Sequence, residues 1–337
     1  MLKNLKDLEL AELKKIADKP FYGAILFDWI QNKAAENLDQ ISNLPKTLRT
    51  ELKNNGFTLA NLKLLKRSAA ADGTLKYLFA LPDGQKIETV LLNDAGRRTL
   101  CVSTQVGCKM ACAFCATGRM KFKRNLSAGE IVDQVIQAEK IEKNKIQNLV
   151  YMGMGEPLDN YDNVLKSIRI LNDKAGKNIG ARHITISTCG LVPGIERLAD
   201  EGLQLRLAIS LHAATDSLRA KLMPINKKYP LPDLMRALKI YQKKTGRRLT
   251  FEYIMLHGVN DAREQARSLL KLLSGISAHI NLIEYNPHAR AEFQPSARKA
   301  IKEFWWLTTD RGFETAIRYK RGQAVNAACG QLYAENY

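Results

Sequence analysis

The chain has 337 residues, 45% hydrophobic and 26% charged, enough apolar material for one large α/β domain and a small accessory domain. No run approaches the roughly 18 apolar residues of a membrane span, the opening stretch lacks the apolar core of a signal peptide, and six cysteines are too few for a secreted disulfide scaffold; a cytoplasmic location follows as the expectation. A net charge of +18 points to a polyanionic partner, with a merely solvated basic surface as the alternative and a lipid surface disfavoured because no amphipathic stretch concentrates the charge.

The opening LKNLKDLELAELKKIADK repeats leucine at helical spacing among charges and predicts an amphipathic helix. Residues 1–70 read as short helices punctuated by DKP and NLP, a helical accessory module. In residues 71–97, LKYLFALPDGQKIETVLL sets two apolar runs around Asp83-Gly84 and predicts a β-hairpin. From 98 to 290 strand-like and helical stretches alternate. TLCVST, NLVYMG, HITIST, LRLAISLH, TFEYIML and INLIEYN read as strands, and SAGEIVDQVIQAEKIEK and LPDLMRALKIYQKK are among the helices between them. Such βα units predict a parallel sheet curled into a full or partial barrel, with a doubly wound open sheet as the alternative. Residues 291–337 form a C-terminal extension. It holds a helix with Trp305 and Trp306, read as packing residues, a β-type run FETAIRY, and the stretch KRGQAVNAACGQLY.

The stretch CVSTQVGCKMACAFCATG, residues 101–118, contains four of the six cysteines. Cys108, Cys112 and Cys115 form C-x3-C-x2-C directly after the first barrel strand. Three thiolates in a tight loop suit an iron–sulfur cluster with one iron left open; a structural zinc with Cys101 or a histidine as fourth ligand is the alternative. Other candidate site residues sit at the C-terminal ends of later strands, where α/β barrels build their sites. They are Gly155 and Glu156 in MGMGEPL, Ser187 after ITI, Ser210, Leu211 and His212 in ISLH, and Asn286 in EYNP. Glycine opens the backbone to a ligand, and the carboxylate, hydroxyl, imidazole and amide groups together suit a nucleoside and an amino acid.

The cysteine spacing, with Phe114 before the last cysteine, resembles the radical S-adenosylmethionine (SAM) signature. That resemblance implies a partial (β/α)6 barrel, a 4Fe-4S cluster on Cys108, Cys112 and Cys115, and SAM cleaved to a 5′-deoxyadenosyl radical. From about residue 85 onward, LCVSTQVGC, MGMGEPL, ISLHA, MPINKKYP, FEYIML, GVND, INLIEYNP and AACGQL are similar to the RlmN and Cfr family of RNA adenine methyltransferases. The helical N-terminal module is more weakly similar to that family's RNA-binding extension. GEPL and RYKRGQAVNAACGQL are closer to the branch that methylates adenine C2 than to the Cfr branch, which methylates C8.

The resemblance also implies a mechanism that uses two SAM molecules per turnover. Cys329 takes a methyl group from the first. The second gives the radical that removes hydrogen from that methyl, and the resulting methylene adds to the adenine carbon. Glu88, in KIETV, corresponds to the proton acceptor, and Cys101 to the thiol that frees Cys329 through a transient disulfide. Read without the resemblance, Glu88 is an ordinary exposed strand carboxylate and Cys329 a small buried thiol. Cys189 is read as structural. The implied partners are 23S ribosomal RNA, tRNA at the adenosine 3′ of the anticodon, and a flavodoxin or ferredoxin as electron donor, serving a monomeric enzyme. GRMKFKRN beside the cysteine loop and the N-terminal module are the expected phosphate contacts. The rival class is a zinc-binding RNA protein without catalysis.

Overall fold

A computed structural model describes residues 3–94, 96–287, 292–320, 322, 325, 327 and 330–333; Cys329 lies outside the described residues. The N-terminal module contains helices α1 (Leu10–Ile16), α2 (Pro20–Gln31) and α3 (Lys46–Asn54). The single helix expected at the start of the chain is broken: Leu5–Asp7 form a separate 3-10 turn and α1 begins after Glu9, whose N–H donates to the Glu12 carboxylate at 2.7 Å. The break has a tertiary cause. Lys6 is drawn into a buried ion pair with Asp133 at 2.5 Å, and the Asp7 carboxylate accepts the Gly129 N–H at 2.6 Å.

One ten-stranded sheet carries the rest. Its strands are β1 (Lys63–Ala69), β2 (Leu75–Ala80), β3 (Lys86–Asp94), β4 (Arg97–Cys101), β5 (Asn148–Tyr151), β6 (Ile184–Thr188), β7 (Arg206–Ser210), β8 (Leu249–Met255), β9 (Ala278–Glu284) and β10 (Glu314–Arg318). Sheet order follows chain order, antiparallel from β1 to β4 and parallel from β4 to β10, with β1 and β10 as the two edges. The parallel steps cross over through α4 (Ala128–Glu142), α5 (Tyr161–Asn172), α6 (Val192–Ala199), the pair α7 (Asp216–Leu222) and α8 (Leu231–Thr245), α9 (Arg263–Leu272) and α10 (Arg298–Asp310). This is a partial barrel. The six expected strands form, and FETAIRY supplies a seventh parallel one.

The hairpin turns at Asp83-Gly84, where Gly84 takes φ +82° and donates to the Leu81 carbonyl at 2.9 Å. The sequence reading of 1–70 as helices missed β1. Nearly all its side chains are exposed on a sheet edge, so KLLKRSA shows none of the alternation that marks a half-buried strand. α4 is buried on almost every side, with Ile131, Val132 and Val135 fully covered, because it lies between the sheet and the N-terminal module. Its start is fixed by Ser127, whose hydroxyl accepts the Glu130 N–H while the Glu130 carboxylate accepts the Ser127 N–H. Among the described residues no helix is long and apolar enough to cross a membrane.

Candidate active site at the strand ends

The cysteine loop leaves β4 and is shaped by glycine. Gly107 has φ +75°, and a side chain there would run into the Lys121 carbonyl. A Cβ on Gly118 would stand 2.9 Å from the Cys112 carbonyl oxygen, so the loop closes tightly over itself. The Cys115 N–H donates to the Cys112 carbonyl and the Gly118 N–H to that of Cys115, both at 3.1 Å. Cys108, Cys112 and Cys115 are free thiols. Burial pushes Cys108 up to about 12, Cys112 well above the usual thiol range, and Cys115 upward. Shielded thiols of this kind are inert until a strongly charged centre ionises them, which an iron cluster does. A zinc site needs four donors around one point, whereas a four-iron cluster spreads its cysteines over separate irons, so the donor set suits the cluster.

The residues expected to surround this loop lie at the C-terminal ends of the barrel strands or just beyond them. Gly155 takes φ +102°, and a Cβ there would sit 2.6 Å from the Gln105 Cβ, so the glycine is required by packing as well as by backbone conformation. Glu156 is buried; Oε1 accepts the Leu158 N–H at 3.0 Å and Oε2 the Cys189 N–H at 2.8 Å. Burial raises its pKa while these backbone donors oppose the rise. The Thr188 and Cys189 side chains also reach this carboxylate, whose negative charge suits an ammonium group. Ser187 and Ser210, on neighbouring strands β6 and β7, bring their hydroxyls to 3.5 Å of each other. Leu211 contributes shape alone: its side chain is in the core, its N–H donates to the Glu252 carbonyl, and its carbonyl accepts Arg219 Nε. Asn286 is buried and its Oδ1 has no protein partner among the described residues, nor has the Tyr285 hydroxyl beside it in the chain. An orphaned acceptor in a buried site calls for a donor from a ligand, as SAM would offer.

His212 has φ +59°, and its Nδ1 accepts the Ile254 N–H at 3.1 Å. Burial, reinforced by the nearby Arg219 cation, lowers its pKa to about 3, so the ring is neutral with its remaining proton on Nε2. It meets Phe114 edge to face at 4.7 Å between centroids, joining the cysteine loop to the barrel.

Three supporting residues escaped the sequence reading. Arg219 is fully buried and donates to the carbonyls of Leu211 (3.2 Å), Cys189 (2.6 Å) and Ser210 (3.2 Å) and to Asn226 Oδ1 (2.8 Å), tying the ends of β6 and β7 together. Asn260 donates to the His212 and Ile254 carbonyls, and Gln105 Oε1 accepts the Glu156 N–H at 2.9 Å. Cys189 is a buried thiol, as expected, and its backbone binds both Glu156 and Arg219. The basic stretch after the loop is only partly available: Arg124 is held by Glu130 and Asp83, and Arg119 by Glu292.

Glu88 is not an exposed strand carboxylate. It is fully buried on β3, its Oε1 pairs with Lys76 Nζ at 2.7 Å, and its Oε2 accepts the Tyr333 N–H at 2.8 Å. Lys76 and Cys101 are both opposite Val90, and Glu88 is opposite Leu78, so Lys76, Glu88 and buried Cys101 share one face of the sheet. The C-terminal segment closes over that face. Its Gly330 carbonyl accepts the Ala116 N–H at 2.7 Å, and its Leu332 carbonyl accepts the Thr117 hydroxyl at 2.6 Å. The disulfide expected between Cys101 and Cys329 falls outside the described residues, as Cys329 does.

Comparison with known proteins agrees with this architecture. The Radical SAM superfamily model matches residues 102–270. A probable dual-specificity RNA methyltransferase RlmN from Thermotoga neapolitana is 47% identical over 98% of this chain and 97% of its own length. The protein of the same name from Geobacillus thermodenitrificans is 45% identical over 99% and 93%. The crystal structure of a radical SAM methyltransferase from Sphaerobacter thermophilus superposes with a TM-score of 0.94 at 45% identity, covering 98% of this chain and 99% of that one. The chain belongs to the RlmN family of radical SAM RNA methyltransferases.

Proposed function

We propose that the protein methylates carbon 2 of adenine in RNA, with Cys329 carrying the methyl group to be transferred, Glu88 accepting the ring proton and Cys101 releasing Cys329. One observation supports the reading above others: the segment just after Cys329 is fastened both to the cysteine loop, through Gly330 and Leu332, and to Glu88, through Tyr333. Adenine C2 is an electron-poor amidine carbon that does not attack a methyl sulfonium, so a radical route is needed. The 4Fe-4S cluster and SAM, when bound, supply the electron and the 5′-deoxyadenosyl radical.

The chain's own residues do the rest. Cys108, Cys112 and Cys115 hold the cluster; Glu156, Ser187, Ser210 and Asn286 bind and orient SAM, and Gly155 gives it room. Glu88 takes the proton from the ring carbon of the enzyme–RNA adduct, and Cys101 forms the transient disulfide with Cys329 that ends it. An RNA base must be unstacked to reach this site, with affinity coming from phosphate contacts; Lys121 and Lys123 beside the loop and the basic N-terminal module suit that task. The substrates in this reading are 23S ribosomal RNA and tRNA beside the anticodon, and the enzyme is a cytoplasmic monomer reduced by a flavodoxin or ferredoxin.

Intact-mass analysis after anaerobic expression tests the reading. The protein carries one added methyl that Cys329→Ala lacks, and Cys101→Ala accumulates a protein–RNA adduct. RNA methylation without any methyl on Cys329 would overturn it.

A further inference from the structure

The Lys76–Glu88 pair lies deep between the sheet and the C-terminal segment, with side chains 4% and 0% exposed. Burying two charges costs several kcal/mol per ion, and well-packed apolar residues of similar volume are commonly as stable or more so. The other fully buried pair, Lys6–Asp133, has an architectural task, because it joins the N-terminal module to α4. Lys76 and Glu88 lie on adjacent strands, β2 and β3, which a continuous ladder from Leu75–Leu91 to Ala80–Lys86 already joins, so their pairing is not needed to hold those two strands together. On the opposite face of these strands Tyr77 and Thr89 hydrogen-bond to Glu142 and Gln134 of α4, so the hairpin is anchored without the pair.

What the pair does is fix one carboxylate. The Glu88 main chain is held on both sides, its carbonyl accepting the Ser103 hydroxyl at 2.6 Å and its N–H donating to Met154 Sδ at 3.4 Å. Lys76 Nζ stands 2.7 Å from Oε1 as an ion pair without hydrogen-bond alignment, and Oε2 is turned toward residues 330–333, where the Tyr333 N–H meets it.

We propose that Lys76 is a positioning residue for Glu88: it pins Oε1 so that Oε2 is the oxygen that receives the ring proton, a place the Tyr333 N–H fills until the RNA base enters. The inference rests on the reading of Glu88 as proton acceptor. In the step concerned the C–H bond at the adduct's ring carbon breaks, its electron pair stays on the ring, and the proton goes to Oε2.

The test compares Lys76→Met, Glu88→Gln and the double variant, each scored for the methyl on Cys329 and for the protein–RNA adduct. Lys76→Met keeps its methyl on Cys329 but accumulates adduct, with turnover down about a hundredfold, the low end of what a positioned base contributes. The double variant turns over no more slowly than Glu88→Gln alone, because both substitutions remove one function. A lysine that only supports the fold would add its own defect in the double variant, and that result overturns the proposal. Adduct in Glu88→Gln but wild-type release in Lys76→Met overturns it too, while leaving the function proposed above intact. No adduct in Glu88→Gln removes Glu88 as the acceptor and the proposal with it. If Lys76→Met does not fold, Lys76→Leu, which likewise offers Oε1 no donor, is scored in its place: adduct with Cys329 methylated supports the proposal, and wild-type release overturns it.

Discussion

His212 makes the stability of the fold depend on pH in a calculable way. Its pKa falls from 6.5 in the unfolded chain to about 3 in the folded one, chiefly through burial. The unfolded chain therefore binds a proton between these values and the folded one does not. Stability from this residue is fully present above pH 6.5 and is lost as pH falls toward 3. Between pH 7 and pH 5 the loss is about 2 kcal/mol, because each pH unit below 6.5 removes about 1.4 kcal/mol. Unfolding entropy of about 2.1 cal/mol/K per residue makes that about 3 °C in Tm for 337 residues. His212→Asn removes the titration while suiting the backbone, since asparagine tolerates the left-handed region that His212 occupies at φ +59°. Carboxylates elsewhere titrate in both proteins, so the difference between the two is the informative quantity. Melting curves at pH 7 and pH 5 should show the wild type losing about 3 °C more than the variant. Equal losses would refute the buried, neutral histidine.

Three further substitutions probe the scaffold. Arg219→Met removes a donor from three carbonyls and the Asn226 amide oxygen, of which the Leu211 carbonyl keeps the Ala213 N–H, and at about 1–3 kcal/mol for each buried acceptor that loses its partner, eased by partial relaxation, a loss of about 3–5 kcal/mol and about 5 °C in Tm is expected by calorimetry. Gly155→Ala forces a Cβ to 2.6 Å from Gln105 at φ +102°; equilibrium dialysis should find SAM binding lost while circular dichroism stays native. Lys6→Met strands the buried Asp133 carboxylate at a cost of about 3–5 kcal/mol, and adding Asp133→Leu should recover part of it in denaturant titrations.

The barrel was legible because its strands are short apolar runs between Gly and Pro punctuation, and the candidate iron ligands because C-x3-C-x2-C is a local pattern. Glu88 shows where local pattern fails. In KIETV alternate residues read as one wet face and one dry face, yet α4 covers one side and residues 330–333 the other, a contact across 245 positions. Arg219 in SLRAKL reads as a solvated helix residue; its burial depends on a carbonyl 30 residues away at Cys189. The broken first helix has the same origin, since nothing near Lys6 announces that Asp133 will claim it. Ligands held by one loop can be read from spacing, and groups that meet only after the sheet has curled cannot.

Whether this chain methylates adenine C2 is decided by mass mapping of nucleosides in RNA from cells with and without the protein. The expected product is 2-methyladenosine, in ribosomal RNA and beside the tRNA anticodon, that disappears when the protein or Cys329 is removed. An 8-methyl product, or an unchanged 2-methyladenosine level without the protein, would contradict it.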